Sequence, residues 1–401
     1  MHCVRPIVSD VLLVGASDRR LALFENIYPI PRGVSYNAYL VLDEKTVLLD
    51  TADSAVSVRF LENLAHGLQG RTLNYIIVNH MEPDHCATLA DVLRLYPEAK
   101  IVASAKAISM IGQFFDCDVT NRCTAVKEGD TLSTGRHNFT FAMAPMVHWP
   151  EVMVTYDTTD KLLFSADAFG TFGALNGNIF ADEVNFQSEW LPDARRYYTN
   201  IVGKYGPQVQ TLLKKAAALD IQYLCPLHGP IWRKDIGWFV EKYQRWSSYT
   251  PEDRTVAIFC GSIYGNTENA AEILAARLAD KGARDVRLYD VSHTHVSELV
   301  AEAFRCSHLV FASATYNGEI YTPMDNFLRD LKSHGLRNRT VGIIENGTWA
   351  AVSGKQMTEL LGTMKDITVL EGAVSLKSSV KEAQRQGLEA LADALAADIL
   401  A

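Results

Sequence analysis

The feature that most constrains the fold is a compact run of metal-binding side chains, His80-Met81-Glu82-Pro83-Asp84-His85. It directly follows the apolar segment Tyr75-Ile76-Ile77-Val78, which predicts a buried strand, and a helical pattern comes after it. Side chains at the end of such a strand point into a crevice, where open sheets hold their ligands. Imidazoles alternating with carboxylates suit a first-row transition metal better than calcium. A helix cap would explain Asp84 alone, but not the other three side chains.

Composition sets the broad class of protein. The chain has 401 residues and 48% hydrophobic content, so it can bury a large core and is expected to form at least two domains. Its formal net charge of -9 argues against nucleic-acid binding. No apolar run approaches the ~20 residues that span a bilayer, and no signal pattern begins the chain, so we expect a cytoplasmic protein without membrane contact. Seven cysteines without a Cys-x-x-Cys pattern indicate reduced thiols; they are Cys3, Cys86, Cys117, Cys123, Cys225, Cys260 and Cys306.

Three later strand patterns each end in a turn that carries one further ligand-type side chain. Singly, a buried His is more often a hydrogen-bonded core residue, and an Asp after a strand usually begins a turn. Together with the first run they give seven side chains, which is too many for one four-coordinate ion and suits two ions that share a carboxylate. The three residues are His148 after strand 138–144, Asp167 after strand 161–165 and His228 after strand 221–224.

A polar, Pro-containing linker at 247–254 separates two different patterns. Before it, short strands that alternate apolar and polar residues predict antiparallel pairing, mixed with a few helices. After it, strands and helices alternate strictly, which indicates a doubly wound parallel sheet. We therefore predict a metal-binding domain at 1–249 and a second α/β domain at 250–401.

The second domain contains a loop that is typical of a phosphate site. The loop Gly261 to Glu268 follows strand 255–259 and opens a long helix, so backbone N–H groups and the helix dipole favour an anion there. Hydroxyls of Ser262 and Thr267 can add hydrogen bonds, and Gly265 permits close backbone approach. No Lys is present, so a single phosphate fits better than a nucleoside triphosphate. A ligand-free helix cap would explain this loop alone.

Aromatic residues at the next two strand ends favour a planar ligand. Tyr316 follows strand 308–312 and Trp349 follows strand 340–344, and aromatic rings at adjacent strand ends can sandwich a flat heterocycle. We infer flavin mononucleotide (FMN). The candidate FMN-binding residues are Ser262, Ile263, Tyr264, Gly265, Asn266 and Thr267 in the first loop, Ala314, Thr315, Tyr316, Asn317 and Gly318 in the second, and Asn346, Gly347, Thr348 and Trp349 in the third.

With both sites in view, the chain resembles the flavodiiron proteins, also called A-type flavoproteins. The first run is similar to the lactamase-superfamily motif His-x-His-x-Asp-His, with Glu82 in place of the second His as in the flavodiiron family. The Ser262 loop is similar to the flavodoxin motif Gly-Ser-x-x-Gly-Asn-Thr-Glu. The resemblance implies an α/β chain with a metallo-β-lactamase-like αββα sandwich, followed by a flavodoxin-like doubly wound parallel sheet. A carboxylate in place of an imidazole favours iron over zinc.

The resemblance also implies roles for individual residues. His80, Glu82 and His148 would hold one iron, and Asp167 would bridge to the other. Tyr197, in the pair Tyr197-Tyr198, would place its hydroxyl near the irons, although a packing tyrosine is an equal alternative. The third FMN loop departs from the form that many members share, and segment 19–25 lacks a His that some relatives place near the irons. The ligands of the second iron would be Asp84, His85 and His228.

The implied activity is reduction of O2 to water, of NO to nitrous oxide, or of both, with O2 the expected main substrate. Reduction of O2 to water takes four electrons, and two ferrous ions with a reduced flavin hold four. Rubredoxin or another external donor would supply them, because the sequence has no fused rubredoxin-like module. A head-to-tail homodimer, or a dimer of dimers, is expected. The alternatives are a zinc hydrolase with a fused flavodoxin domain and a non-catalytic flavin electron carrier.

Overall fold

The chain folds into two compact units in the computed structural model, which describes residues 2–116, 119 and 121–400. Cys117, predicted to be a reduced thiol, lies outside the described residues. The first unit comprises Met1–Tyr198 and Pro207–Gln244, and the second comprises Thr199–Gly206 and Arg245–Ala401. The domain division at 249/250 stays a prediction.

Sixteen strands in the described part of the first unit form two main sheets and two short hairpin-like pairs. The strands are Arg5–Val8 (β1), Val11–Leu13 (β2), Ala16–Asp18 (β3), Leu23–Phe24 (β4), Tyr28–Pro29 (β5), Val34–Tyr36 (β6), Tyr39–Val41 (β7), Thr46–Leu49 (β8), Leu73–Val78 (β9), Lys100–Ser104 (β10), Cys123–Val126 (β11), Thr131–Ser133 (β12), Asn138–Met143 (β13), Met153–Asp157 (β14), Leu162–Phe164 (β15) and Tyr223–Cys225 (β16). One sheet has the order β1-β2-β7-β8-β9-β10-β11, and the other has the order β12-β13-β14-β15-β16. Both are mixed, because β8 to β11 pair in parallel and β15 pairs in parallel with β16.

The core of this unit lies between the two sheets. Apolar side chains from β7 and β8 of the first sheet join those of β13 and β15 of the second in one buried cluster, so each sheet covers the apolar face of the other. The helices before residue 248 are Ser57–Leu68 (α1), Pro83–Cys86 (α2), Leu89–Leu95 (α3), Ala105–Phe114 (α4), Leu191–Tyr197 (α5), Gly206–Ala216 (α6) and Ile236–Ser247 (α7), with short 3-10 or π turns at Ser54–Val56, Ala181–Glu183, Phe186–Trp190, Tyr198–Val202 and Gly203–Tyr205; the last two turns lie mostly in the second unit.

A buried histidine joins turns from both sheets at one edge. His137 Nδ1 lies 2.8 Å from Asp157 Oδ2, and its Nε2 lies 3.2 Å from Asp10 Oδ2. Its backbone N–H donates to Asp43 Oδ2 at 2.8 Å. Burial by itself would lower the pKa of His137, but the hydrogen bond and charge of Asp157 raise it. The neighbouring Arg136 guanidinium contacts Asp10, so this group is an ion-pair network.

Replacing His137 by Gln is expected to destabilise the protein more at about pH 5.5 than at about pH 9. The raised pKa of His137 gives stability that is complete below its ordinary value of about 6.5 and is lost as the pH rises through the folded-state pKa. The lowered pKa of Asp157 gives stability that is lost only in acid. Urea unfolding of both proteins across this range checks the trend, with His66→Gln, an exposed change on α1, as control. An equal loss at both pH values would contradict it.

The second unit is a parallel sheet with helices on both faces. Its strands are Asp253–Gly261 (β17), Arg287–Asp290 (β18), Cys306–Tyr316 (β19), Glu319–Ile320 (β20), Arg339–Asn346 (β21), Ile367–Val369 (β22) and Val374–Leu376 (β23), and its helices are Asn266–Asp280 (α8), Val296–Arg305 (α9), Thr322–Ser333 (α10), Ser353–Leu361 (α11) and Glu382–Leu400 (α12). The order β18-β17-β19-β21-β22, with β23 beside β21, is the doubly wound order of flavodoxin-like sheets.

Alternate residues of β17 explain why helices cover both faces. Val256 and Ile258 point into a cluster with residues of α8 and α12, whereas Ala257 and Phe259 point into a cluster with residues of α9 and α10. Both faces of the strand are therefore apolar, as a parallel strand requires. Within the described residues, no helix has both the length and the apolar character to span a membrane.

Candidate metal centre and flavin loops

The first ligand run lies where β9 ends. His80 follows the strand by two residues, and the one-turn helix α2 then presents Asp84 and His85. Pro83 begins this turn, where its missing N–H costs nothing, and the His85 N–H donates to the carbonyl of Glu82 at 2.9 Å. The end of β9 and this short helix thus place the four side chains of one hexapeptide at the same crevice.

The other three residues arrive from separate strand ends, as the sequence predicted. His148 follows β13, Asp167 follows β15 and His228 follows β16. Ala166 (φ 52°) and Phe169 (φ 70°) hold the backbone around Asp167 in the left-handed region. Such strained positions persist where the surrounding structure fixes a functional side chain.

One set of ligand-type atoms forms around one oxygen of Asp167. His80 Nε2 lies 3.2 Å from Asp167 Oδ2 and 3.3 Å from Glu82 Oε2. His148 Nε2 lies 3.3 Å from the same Asp167 oxygen and 3.0 Å from Glu82 Oε2. These four residues each place one ligand atom within 4.8 Å of the others, a spacing that a single ion can fill.

The second set forms around the other oxygen of the same carboxylate. His85 Nε2 lies 3.2 Å from Asp167 Oδ1, and His228 Nε2 lies 3.5 Å from it. Both imidazoles are also 3.3 Å from Asp84 Oδ2. One ligand atom from each of Asp84, His85 and His228 likewise lies within 4.8 Å of the other two. The seven predicted residues therefore converge as two sets, with Asp167 between them.

Hydrogen bonding shows that these residues fit metal ions. Both oxygens of Asp84 and of Asp167 are buried without a hydrogen-bond partner, and such acceptors are costly unless a cation satisfies them. His228 Nδ1 lies 2.8 Å from the Ser35 carbonyl, which can only accept, so its Nε2 carries a lone pair. That Nε2 lies 3.0 Å from His85 Nε2. Mixed imidazole and carboxylate donors suit iron.

The pKa shifts of the ligand-type residues are consistent with a metal-binding role. Burial by itself would lower the pKa of His148, but the adjacent carboxylates of Asp167 and Glu82 raise it to about 9. Burial would raise the pKa of Asp167, but the charges of His85 and His80 hold it well below its usual range. The carboxylates thus attract protons onto the imidazoles, and a metal ion would replace those protons.

Two buried carboxylates hydrogen-bond to the segment that begins at His80, and the sequence did not predict a role for either of them. From its sequence position after strand β8, Asp50 could equally face the crevice or lie in a solvated turn; in the structure it is buried, and its Oδ1 accepts the N–H groups of Asn79 (2.7 Å) and His80 (3.2 Å). Glu151, three residues after His148, lies against His80 Nδ1 at 2.7 Å. The only signal for Glu151 was this short spacing from a candidate ligand.

The turn between β4 and β5 contributes a further acidic group that the sequence did not reveal. Glu25 (φ 49°) and Asn26 (φ 57°) are both left-handed, and this turn brings the Glu25 carboxyl group beside Glu82. Partial withdrawal from water, followed by the charge of Glu82 and a hydrogen bond with it, raises the pKa of Glu25 to about 8. Glu25 therefore adds a second carboxyl group beside Glu82 at the candidate metal centre.

Tyr197 is the better placed of the two candidate tyrosines. Its ring centroid is 5.4 Å from that of His228, and its buried hydroxyl has no hydrogen-bond partner. Burial, and then the charges of Asp167 and Asp84, raise its pKa well above the ordinary value, so the phenol keeps its proton. Tyr198 instead packs on Tyr243, with ring centroids 5.0 Å apart.

The first predicted flavin loop has the form of an anion site. Gly265 (φ 85°) precedes α8, and its N–H donates to Ser262 Oγ at 3.1 Å. Thr267 is buried in the first turn of the 15-residue helix. Tyr264 is 91% exposed. The free N–H groups of this helix start suit a phosphate, but the individual contacts stay a prediction.

The second loop is a tight turn between β19 and β20. Asn317 (φ 52°) and Gly318 (φ 77°) form it, with Tyr316 opposite Glu319. Thr315 Oγ1 accepts two N–H groups from the start of α11, at 3.1 and 3.2 Å. Ala314 is buried and Tyr316 is about half-exposed. The hydroxyl of Thr315 is therefore already engaged by the protein.

In the third loop, one side-chain amide connects three segments. Asn346 Nδ2 donates to Thr267 Oγ1 (3.2 Å) and to the Ser378 carbonyl (2.9 Å), while its Oδ1 accepts the Ser378 N–H at 3.0 Å. Gly347 has no room for a Cβ, which would lie 2.6 Å from a backbone oxygen. Trp349 is 92% exposed. Asn346 thus supports the loop, and the roles of the loop residues in FMN binding stay predictions.

Comparison with known proteins agrees with a metal-binding domain followed by a flavodoxin-like domain. The family model for ODP family beta lactamase matches residues 34–229, and the flavodoxin model matches residues 258–367. The solved rubredoxin oxygen:oxidoreductase from Desulfovibrio gigas is 29% identical, with a TM-score of 0.90 over 99% of this chain and 98% of that one. A flavo di-iron protein variant from Thermotoga maritima is 26% identical, with a TM-score of 0.89 over the same shares.

A curated relative decides the family. The anaerobic nitric oxide reductase flavorubredoxin of Aeromonas hydrophila subsp. hydrophila is 30% identical over 368 residues, which are 90% of this chain and 73% of the relative. The chain belongs to the flavodiiron protein family. As a flavodiiron protein it is an oxidoreductase with a metallo-β-lactamase-like domain followed by a flavodoxin-like domain, and its cofactors are FMN and a non-haem diiron site. The family, the fold class, the enzyme class and the cofactors expected from the sequence are therefore confirmed.

Proposed function

We propose that this flavodiiron protein reduces O2 to water as its main activity and reduces NO to nitrous oxide as a second one. Its relatives support diiron and FMN chemistry on O2 or NO, since one is named a nitric oxide reductase and another a rubredoxin oxygen:oxidoreductase. An external donor such as rubredoxin supplies the electrons.

The observation that carries the proposal is the position of Asp167. Its two buried oxygens face different sets of ligand-type atoms, Oδ2 towards His80 and His148, and Oδ1 towards His85 and His228. A site for one ion has no need of a shared carboxylate, whereas a pair of ions can share one, and the ligand chemistry then favours iron over zinc.

In this proposal the protein supplies placement. Glu82, His80 and His148 would hold one iron, Asp84, His85 and His228 would hold the other, and Asp167 would contribute to both. The irons, when bound, act as Lewis acids and a template for the gas, while FMN carries electrons. The apolar rings of Phe24 and Phe172, which pack on His228 and Tyr197, keep water away from that side of the site.

The Tyr197 hydroxyl is placed to donate a hydrogen bond to the substrate. It is buried and without a hydrogen-bond partner, and burial together with the nearby carboxylates keeps it protonated. Replacing Tyr197 by Phe is expected to lower turnover about 10- to 100-fold while iron and FMN contents stay unchanged. Steady-state gas consumption checks this, and Tyr198→Phe is the matched control because Tyr198 packs on Tyr243 instead. A packing role alone would leave the Tyr197→Phe rate close to that of the wild type.

Side-by-side O2 and NO electrode measurements with reduced rubredoxin test the substrate preference. We expect a higher kcat/KM for O2 than for NO. A higher value for NO would reverse the proposed order of substrates and leave the diiron assignment in place. Consumption of neither gas, with the flavin fully reduced, would instead support a non-catalytic electron carrier.

Metal analysis of anaerobically purified protein separates the remaining alternative. We expect about two irons for each chain, because the carboxylate-rich sets favour iron. About two zinc ions and no iron would support a hydrolase with a fused flavodoxin domain.

The flavin loop can be tested independently of the metal centre. The double change Ser262→Ala and Thr267→Val is expected to weaken FMN binding at least about 100-fold, since each hydrogen bond to a charged phosphate contributes about 1.5–3 kcal/mol. Iron content should remain at the wild-type value. Flavin fluorescence titration of the deflavinated protein measures the change, and Ser333→Ala on α10 is the control. Unchanged FMN affinity would place the phosphate elsewhere.

We also propose a head-to-tail homodimer, in which the FMN of one chain serves the irons of its partner, as in the flavodiiron family. Sedimentation velocity with rapid-kinetic assays at matched dilution tests this proposal. A monomer with full activity would exclude it.

A further inference from the structure

Glu151 is the one acidic side chain that contacts the outward nitrogen of a candidate ligand among the described residues. It is 2% exposed, follows His148 by three residues, and approaches His80 from behind. Its Oε1 lies 2.7 Å from His80 Nδ1 and 2.9 Å from the backbone nitrogen of Met81. The His80 nitrogen that faces the ligand cluster is the other one, Nε2.

The Met81 contact determines where the proton of His80 lies. A backbone N–H can only donate, so Glu151 Oε1 accepts from Met81 and has a second lone pair for His80. His80 Nδ1 therefore carries a proton and donates it to Glu151. This arrangement leaves Nε2, which lies 3.3 Å from Glu82 Oε2 and 3.2 Å from Asp167 Oδ2, as the His80 nitrogen that can bind a metal ion.

Glu151 is itself held in place from another strand end. Its carbonyl accepts the hydroxyl of Ser104 at 2.8 Å, and Ser104 also caps α4 by accepting the Ala107 N–H at 3.1 Å. The backbone of Met153, two residues further on, donates to the Asn79 carbonyl at 3.1 Å. The carboxylate thus has a fixed position relative to the end of β9.

The other set of ligand-type residues has no comparable support. His228 Nδ1 faces a neutral carbonyl, that of Ser35, at 2.8 Å. His85 Nδ1 is buried and has no hydrogen-bond partner. A carboxylate behind an imidazole fixes its orientation and raises its basicity more than a neutral carbonyl does. The two sets therefore differ in how firmly their imidazoles are held.

We propose that Glu151 is a positioning residue that fixes His80 as an Nε2 ligand and makes its iron the more tightly held of the two. This inference rests on the proposed role of His80 as an iron ligand. The iron between Asp84, His85 and His228 is correspondingly the more labile one. Without the Glu151 carboxylate, the two irons would be held about equally tightly.

The test is iron release from the loaded, anaerobic holoprotein to a chelator, with Mössbauer spectra of the same samples. In the wild type, release is expected in two phases of one iron each. In Glu151→Ala the slow phase should become about 10- to 100-fold faster, and one of the two quadrupole doublets should change. Glu151→Gln, whose amide oxygen can still accept both hydrogen bonds, should lie between the two.

Glu128→Gln is the matched control, because Glu128 is an exposed carboxylate of the same domain that pairs with Lys215. The inference would be overturned if the slow phase of iron release and both quadrupole doublets were unchanged in Glu151→Gln and Glu151→Ala. It would also be overturned if these variants only lowered the unfolding stability of the iron-free protein. If Glu151→Ala does not fold, unchanged release in Glu151→Gln alone overturns it. A wild-type protein that binds no iron would instead refute the proposed function.

Discussion

Replacing Asp167 by Ala is expected to lower gas reduction at least about 100-fold and to reduce iron below two ions per chain. The carboxylate faces both ligand sets at 3.2–3.5 Å. A shared ligand supplies part of the template and charge balance of both ions, which is worth several kcal/mol of transition-state stabilisation. The FMN spectrum should stay intact, because the flavin loops belong to the other unit. Gas electrodes, iron assays and visible spectra measure these effects together.

Asp91→Ala is a suitable control for this change. Asp91 is a partly exposed carboxylate on α3 of the same domain, and its partner is the exposed Arg94. We expect wild-type iron content and turnover in that variant. Two irons with near-wild-type turnover in Asp167→Ala would contradict the shared-carboxylate arrangement.

The second large effect concerns stability and comes from a buried arginine. Arg339 is 2% exposed at the start of β21, and no carboxylate of the described residues pairs with it. Burial lowers its pKa to about 9. Its guanidinium instead donates to five backbone carbonyls; they belong to Tyr249 (2.9 Å), Ala303 (2.9 Å), Phe304 (2.5 Å), Arg337 (2.7 Å) and Asn338 (3.0 Å).

Replacing Arg339 by Met is expected to destabilise the second unit by about 3 kcal/mol or more. The change leaves several buried carbonyls without donors, and each unsatisfied group costs about 1–3 kcal/mol. Arg339→Lys should also destabilise, though by less, because one ammonium cannot reach all five oxygens. Urea unfolding followed by flavin fluorescence measures the loss.

Arg329→Met is the control for Arg339→Met, since Arg329 is an exposed residue of α10 that pairs with Asp325. Such a surface pair contributes about 0–1 kcal/mol. Equal stability of the Arg329 and Arg339 variants would show that the five carbonyl contacts contribute little.

The sequence predicted the fold and the seven ligand-type residues because apolar strands and polar strand ends leave local patterns. Strand limits were less accurate. The central strand was predicted at 308–312, but β19 runs from Cys306 to Tyr316. It pairs with β17 and β21 on its two sides, and this pairing extends the strand beyond its apolar segment.

Residues that hydrogen-bond to the candidate ligands on the side away from the metal centre were harder to predict. Glu151 is 71 positions from His80, and Asp50 is 30 positions from it. These contacts exist because strands of different sheets end at one crevice, so no short motif encodes them. Glu25 was missed for a related reason, since its position depends on a left-handed turn that only the adjacent Asn suggests.

The amide of Asn346 has a consequence for cofactor exchange. It links Thr267 at the start of α8 to Ser378 in a distant turn. If FMN binds the Ser262 loop as proposed, its release is therefore expected to loosen the Asn346 and Ser378 segments in the same event. Dissociation should therefore be cooperative across all three segments. Hydrogen–deuterium exchange at the Ser378 amide would then report occupancy of a phosphate site that this residue need not touch.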